Sequence, residues 1–168
     1  NSEPQLFPPD LEPQHSDLAR FLYEKVNNGV YRAGFATTQR SYEVACGALF
    51  DALVELEGRL AHGRYLFGER IVEADWRLFC TLVRFDAVYH GHFKCNVRRI
   101  VDYPNLWGYL RDLYQQPGIA ETVNIDHIKR HYYLTHGEIN PTRIVPLGPA
   151  LDFTEPHGRE SVTQASGL

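Results

Sequence analysis

The 168-residue sequence contains no methionine and only three cysteines. It also has no apolar run near the roughly 18 residues that a membrane-spanning helix requires, and its first turns lack the basic and apolar regions of a signal peptide. A soluble, cytoplasmic protein is expected. Positive charge is not in excess either: 17 Lys and Arg stand against 21 Asp and Glu, for a net charge of −4. That leaves no surplus cation to neutralise a phosphate backbone or an anionic lipid surface, so neither nucleic acid nor membrane is expected as a partner. Cys46, Cys80 and Cys95 are odd in number and form no close pair, which fits reduced thiols better than a disulfide or zinc framework. The missing methionine, the start at Asn1 and the prolines at 4, 8, 9 and 13 suggest that residues 1–13 are an extended linker from an upstream domain, each proline removing a backbone donor.

What is present is ordinary globular composition, 43% hydrophobic and 23% charged, enough for one domain with a core. Leu18, Phe21, Leu22 and Val26 share a helical face, with Asn27-Asn28-Gly29 as the expected stop, predicting a helix over 14–28. Tyr42, Ala45, Leu49, Leu53, Leu56 and Leu60 alternate steps of three and four, the strongest helix signal in the chain, from Thr38 to His62 before Gly63. Ala74, Leu78, Leu82 and Phe85, with Phe79 and Val83 alongside, predict a central buried helix over 73–89. Pro104 suits a first helical turn and leads Leu106, Leu110 and Leu113 toward the stop at Pro117-Gly118. A fifth helix is expected over 124–136, with Ile125, Ile128 and Tyr132 on one inward face. No period-two alternation appears, so the domain over 14–136 reads as all-α. Residues 137–168, rich in Pro and Gly, are expected to form an irregular tail, with Ile144-Val145-Pro146-Leu147 lying against the helices.

Chemistry is less legible than fold. His127 and His131 stand one turn apart, a spacing that can bind zinc, but the residues between them are Ile128, Lys129 and Arg130. No glutamate base is present and the local charge opposes a divalent cation, so the expectation is no metal, with the histidines at the surface or at helix caps. No glycine-rich phosphate loop is found. The three cysteines read as structural, although Lys94 beside Cys95 could lower that thiol's pKa. Nine aromatics, Phe85, Tyr89, Phe93, Tyr103, Trp107, Tyr109, Tyr114, Tyr132 and Tyr133, fall within about fifty residues. Most belong in a core, but several phenols converging on a cleft would stack flat rings and donate hydrogen bonds to an anion.

Particular segments carry a resemblance. Gly68-Glu69-Arg70-Ile71-Val72-Glu73-Ala74-Asp75 is similar to the capping segment of the central helix in glutathione transferase C-terminal domains, except that Val72 replaces the capping hydroxyl. Losing that cap costs about 1 kcal/mol, and Asp75 is left to bond back to the amide of residue 72. The segments 27–36, 82–89, 92–96 and 131–133, and Asn140-Pro141 leading to Gly148-Pro149, resemble the xi-class glutathione transferases, the glutathionyl-hydroquinone reductases. The resemblance spans most of 14–159. It implies a glutathione transferase C-terminal helical bundle that binds an aromatic substrate. It also implies a separate N-terminal thioredoxin-fold domain whose Cys-Pro-Trp motif, absent from this sequence, supplies the nucleophile and holds most of the glutathione, and a homodimer. By the same resemblance, Tyr31 is the proton donor and acceptor for the ring, and Tyr89 and Tyr132 stabilise the thiolate. The substrate would be a glutathionyl-hydroquinone, and the present chain alone would be inactive. A non-catalytic assembly module, or an enzyme using another low-molecular-weight thiol, remain the alternatives.

Overall fold

The computed structural model describes residues 4–162; the outermost parts of the expected linker and tail, 1–3 and 163–168, lie outside them. Six α-helices follow in order: α1 (Gln14–Leu22), α2 (Gly29–Gly34), α3 (Gln39–Leu60), α4 (Glu73–Arg84), α5 (Pro104–Tyr114) and α6 (Ile125–Thr135). Among the described residues there is no strand, only two isolated bridges in the turn before α4. Helices α1 and α5 pack on α4, α2 and α5 pack on α3, and α6 packs on the turn that follows α4.

The helix starts show how local chemistry sets the bundle. Thr38 and Ser41 cap α3 reciprocally, the Ser41 amide donating to Thr38 Oγ1 at 3.1 Å and the Thr38 amide to Ser41 Oγ at 3.3 Å. Helix α4 has only half of that arrangement. Val72 offers no acceptor, while the Asp75 carboxylate accepts the Val72 amide at 2.8 Å and the Leu66 amide at 3.0 Å. Asn124 caps α6 through the His127 amide. Helix α5 borrows its cap from α3: Glu57 accepts the Asn105 and Leu106 amides at 2.9 and 2.8 Å, so a tertiary contact replaces the local one.

Two expected boundaries differ. The predicted stop at Asn27-Asn28-Gly29 is not a stop, because Tyr23–Asn27 form a π-helical turn that feeds directly into α2. Asn27 is held by α4: its amide donates to the Arg77 carbonyl at 2.9 Å and to Thr81 Oγ1 at 2.7 Å, which outweighs its local turn preference. The helix expected over 73–89 likewise ends as α4 at Arg84 and continues as a second π-helical turn, Phe85–Tyr89.

Both terminal segments are tied to the bundle. Residues 4–13 do not run free: the Leu6 carbonyl accepts the Glu73 amide at 2.9 Å, and Arg70 grips Asp10 at 2.6 Å. In the tail, Ile144 and Leu147 point to solvent, while Val145 and Pro146 are partly covered. The reason is that Lys129 Nζ ties down the Leu147 carbonyl rather than its side chain, at 2.9 Å. The tail docks elsewhere, through Phe153 between Trp107 and Tyr114 and through buried Arg159, which donates to the Leu60, Gly63 and Arg64 carbonyls.

Candidate active site

Three separate stretches of chain deliver Tyr31, Tyr89 and Tyr132 to one point. Tyr31 comes from α2, Tyr89 from the second π-helical turn and Tyr132 from α6. Their hydroxyls form a row: Tyr31 to Tyr132 is 2.6 Å and Tyr132 to Tyr89 is 2.9 Å. Tyr89 is 2% exposed and Tyr132 6%, whereas Tyr31 is 37% exposed, so the row runs from the core to the surface.

Burial also sets the protonation of the two inner phenols. Burial, followed by its bond to Tyr132 and the nearby Tyr31, pushes the Tyr89 phenol far above its ordinary value. The Tyr132 phenol is pushed up to about 12, first by burial and then by the bond to Tyr31, with the bond to Tyr89 and then Arg84 pulling the other way. Both are therefore protonated at neutral pH. The middle hydroxyl has one proton, so it donates to one neighbour and accepts from the other. When the row is polarised outward, Tyr31 accepts from Tyr132 and has its own proton free to present to a bound molecule.

Phe93 organises the ring packing. It stacks on Tyr89 at 5.4 Å, meets Tyr31 edge-on at 5.3 Å and Tyr132 edge-on at 5.9 Å. Helix α2 comes this close only because residue 34 is glycine: a Cβ there would stand 2.2 Å from Phe93 Cγ. Phe35, 47% exposed, extends the aromatic wall beyond Phe93 and meets His136 edge-on. Neither phenylalanine was legible as a site residue in the sequence, where each is one more apolar position.

The other candidate residues fall out differently. His127 and His131 are exposed on α6. His92 departs from the expected surface or capping role: it is buried, and its Nε2 lies 3.0 Å from Nδ1 of His136, at the α6 C-cap. Lys94, which could have lowered the Cys95 pKa, faces solvent, and burial raises this thiol to about 12. Cys46 and Cys95 are core residues, but Cys80, also read as structural, is exposed on α4.

Residues 36–112 match the family described as glutathione S-transferase, C-terminal domain. The glutathionyl-hydroquinone reductase YqjG of Escherichia coli is 54% identical over 154 residues, 92% of this chain and 47% of that protein. The glutathionyl-hydroquinone reductase PcpF of Sphingobium chlorophenolicum is 54% identical over 144 residues, 86% of this chain and 46% of that protein. The chain thus spans about half the length of these relatives. Among solved structures, the xi-class glutathione transferase of Natrialba magadii superposes with a TM-score of 0.94 at 52% identity, covering 97% of this chain and 51% of that one. Glutathione-bound YqjG superposes with a TM-score of 0.93 at 52% identity, covering 95% and 52%. By sequence and by fold, the chain belongs to the xi class of glutathione transferases, in which it corresponds to the C-terminal helical domain.

Proposed function

We propose that this chain is the aromatic-substrate half of a glutathione-dependent reductase that removes glutathione from glutathionyl-hydroquinones. The observation that carries the reading is the tyrosine row, buried at Tyr89 and open at Tyr31. Likeness to two glutathionyl-hydroquinone reductases supplies the substrate class. In this reading a cysteine thiolate on an upstream thioredoxin-fold domain attacks the glutathionyl sulfur. The sulfur–ring bond breaks, its electron pair stays with the hydroquinone ring, and the ring takes up one proton. A second glutathione then resolves the mixed disulfide, releasing glutathione disulfide and the thiolate.

The residues of this chain hold and move the proton. Tyr31 exchanges it with the aromatic substrate, lying against Phe35 and Phe93. Tyr132 donates to Tyr31 as negative charge develops there, and Tyr89 donates to Tyr132, each bond strengthening the next. Tyr89 lies too deep to touch a thiolate directly and acts through Tyr132, as a positioning residue. The 168 residues alone lack the nucleophile of this scheme and should show no turnover.

The test is Tyr31→Phe and Tyr132→Phe in the full-length protein, assayed with a glutathionyl-hydroquinone. Each should lower kcat by about 10²-fold or more while the urea midpoint moves little. An assembly module would show no rate effect, and turnover sustained by a thiol other than glutathione would replace the co-substrate.

A further inference from the structure

We propose that the hydrogen-bonded imidazole pair His92–His136 is the positioning element of the tyrosine site, fastening the loop that carries Phe93 to the end of α6 that carries Tyr132. Its bearing on catalysis rests on the reductase reading above; its bearing on geometry does not.

The ring geometry shows what the pair holds. His92, Phe93 and His136 lie nearly parallel to one another, with interplanar angles of 27° for His92–Phe93, 20° for Phe93–His136 and 15° for His92–His136. Tyr89 continues this set, at 16° to Phe93. The Tyr132 ring stands across it, at 88° to Tyr89, 82° to Phe93, 78° to His136 and 77° to His92. Four parallel rings therefore set the angle of one phenol, and through it the direction of the hydroxyl row. Among the described residues, the side-chain hydrogen bond that joins the 92–93 loop to α6 is the one between His92 Nε2 and His136 Nδ1, beside the approach of the His92 backbone to the Tyr133 phenol. Packing keeps the rings together; a directional bond keeps them in register.

The bond has a defined proton requirement. With both imidazoles neutral, one nitrogen donates and the other accepts; with one extra proton the bond persists and gains charge assistance. With two, both facing nitrogens carry hydrogens at 3.0 Å and the bond is lost. The surroundings select which ring is charged first. His136 is half-buried at the carbonyl end of α6, where a cation is favoured, although burial and His131 lower its pKa. His92 is pushed down to about 4 by burial, then by His136 and Lys94. The remaining groups around the pair are the phenols of Tyr31, Tyr89, Tyr132 and Tyr133 and the guanidinium of Arg143, which donates to the Leu134 carbonyl. None of them is a carboxylate that would support a second positive charge.

The experiment is carbon-13 NMR of this chain with labelled tyrosine and histidine. Between pH 7.5 and 4, the His136 signals should move before those of His92, and the phenolic Cζ signals of Tyr89 and Tyr132 should shift with the second event. His136→Phe keeps the stacked ring and removes the bond, so at neutral pH it should shift the same two tyrosine signals. His131→Phe, whose ring also meets Tyr132 but which bonds to neither imidazole, should not. Tyrosine signals that stay put in a natively folded His136→Phe, or two imidazoles titrating independently near 6.5, would overturn the proposal. If the variant does not fold, the wild-type titration decides alone. In the full-length protein, His136→Phe should lower kcat about tenfold or more at unchanged KM for glutathione. If Tyr31→Phe is also without effect on rate, the reductase reading has failed; if Tyr31→Phe is slow and His136→Phe is not, only the positioning role has.

Discussion

Buried tyrosines serve two opposite purposes at the two ends of this bundle. At one end, Tyr109 donates to the Asp75 carboxylate at 2.9 Å and Tyr65 donates to Asp112 at 3.1 Å, with Arg64 and Gln116 completing the Asp112 shell. A carboxylate only accepts, so these phenols have their direction fixed and their protons committed. At the other end, Tyr31, Tyr132 and Tyr89 bond to one another. A phenol can both donate and accept, so the direction of the row is open and one proton is left for something outside. Tyr65, Tyr109, Tyr89 and Tyr132 are similarly buried, and their partners separate phenols with committed protons from phenols whose direction is open.

The sharpest way to break this comparison is to remove a carboxylate. Asp75→Ala leaves the Leu66 amide, the Val72 amide and the Tyr109 hydroxyl without their acceptor. At about 1–3 kcal/mol for each unsatisfied buried donor, urea unfolding should register a loss of about 3–5 kcal/mol. A comparable loss in Tyr132→Phe would mean that the two ends are structurally alike.

Acid tests the charge-free end. His92 has a folded-state pKa of about 4, below the ordinary 6.5, so the unfolded chain binds its proton first. Its contribution is fully present above about pH 6.5 and is lost as pH falls toward 4, amounting to about 2–3 kcal/mol. The pH dependence of unfolding in His92→Gln should flatten over that window; an unchanged slope would assign the acid sensitivity to other groups. A smaller effect sharpens the packing argument. Gly34→Ala places a methyl inside Phe93 and should cost about 1–3 kcal/mol, with Tyr31 displaced relative to Tyr132. Calorimetry and the tyrosine Cζ signals would show both, and a neutral outcome would mean that the Phe93 loop yields easily.

Legibility varied with the origin of each feature. The seams of α3, α5 and α6 follow from periodicity, and their starts near Thr38, Pro104 and Asn124 stand where the sequence placed them. The π-helical turns do not obey a 3.6-residue period, so the apolar pattern ran straight through Phe85–Tyr89 and suggested one long helix. At Asn27 the local signal for a stop was real, but bonds to Arg77 and Thr81 on another helix overrode it. Tyr31, Tyr89 and Tyr132 were singled out by family resemblance. Spacing alone could not link residues 31, 89 and 132, since their proximity depends on three different elements.

By itself the sequence determined an all-helical chain, its apolar seams and most helix ends, because these depend on neighbours within one or two turns. It also determined the family, because that likeness is a property of the residues in order. The tertiary structure alone decided that one set of tyrosines would face carboxylates and another would face each other. It likewise decided that His92 would be buried against His136 and that Gly34 would admit Phe93. Those outcomes depend on which helix faces meet, and a hydrogen bond between distant residues exists only once packing has brought them within 3 Å.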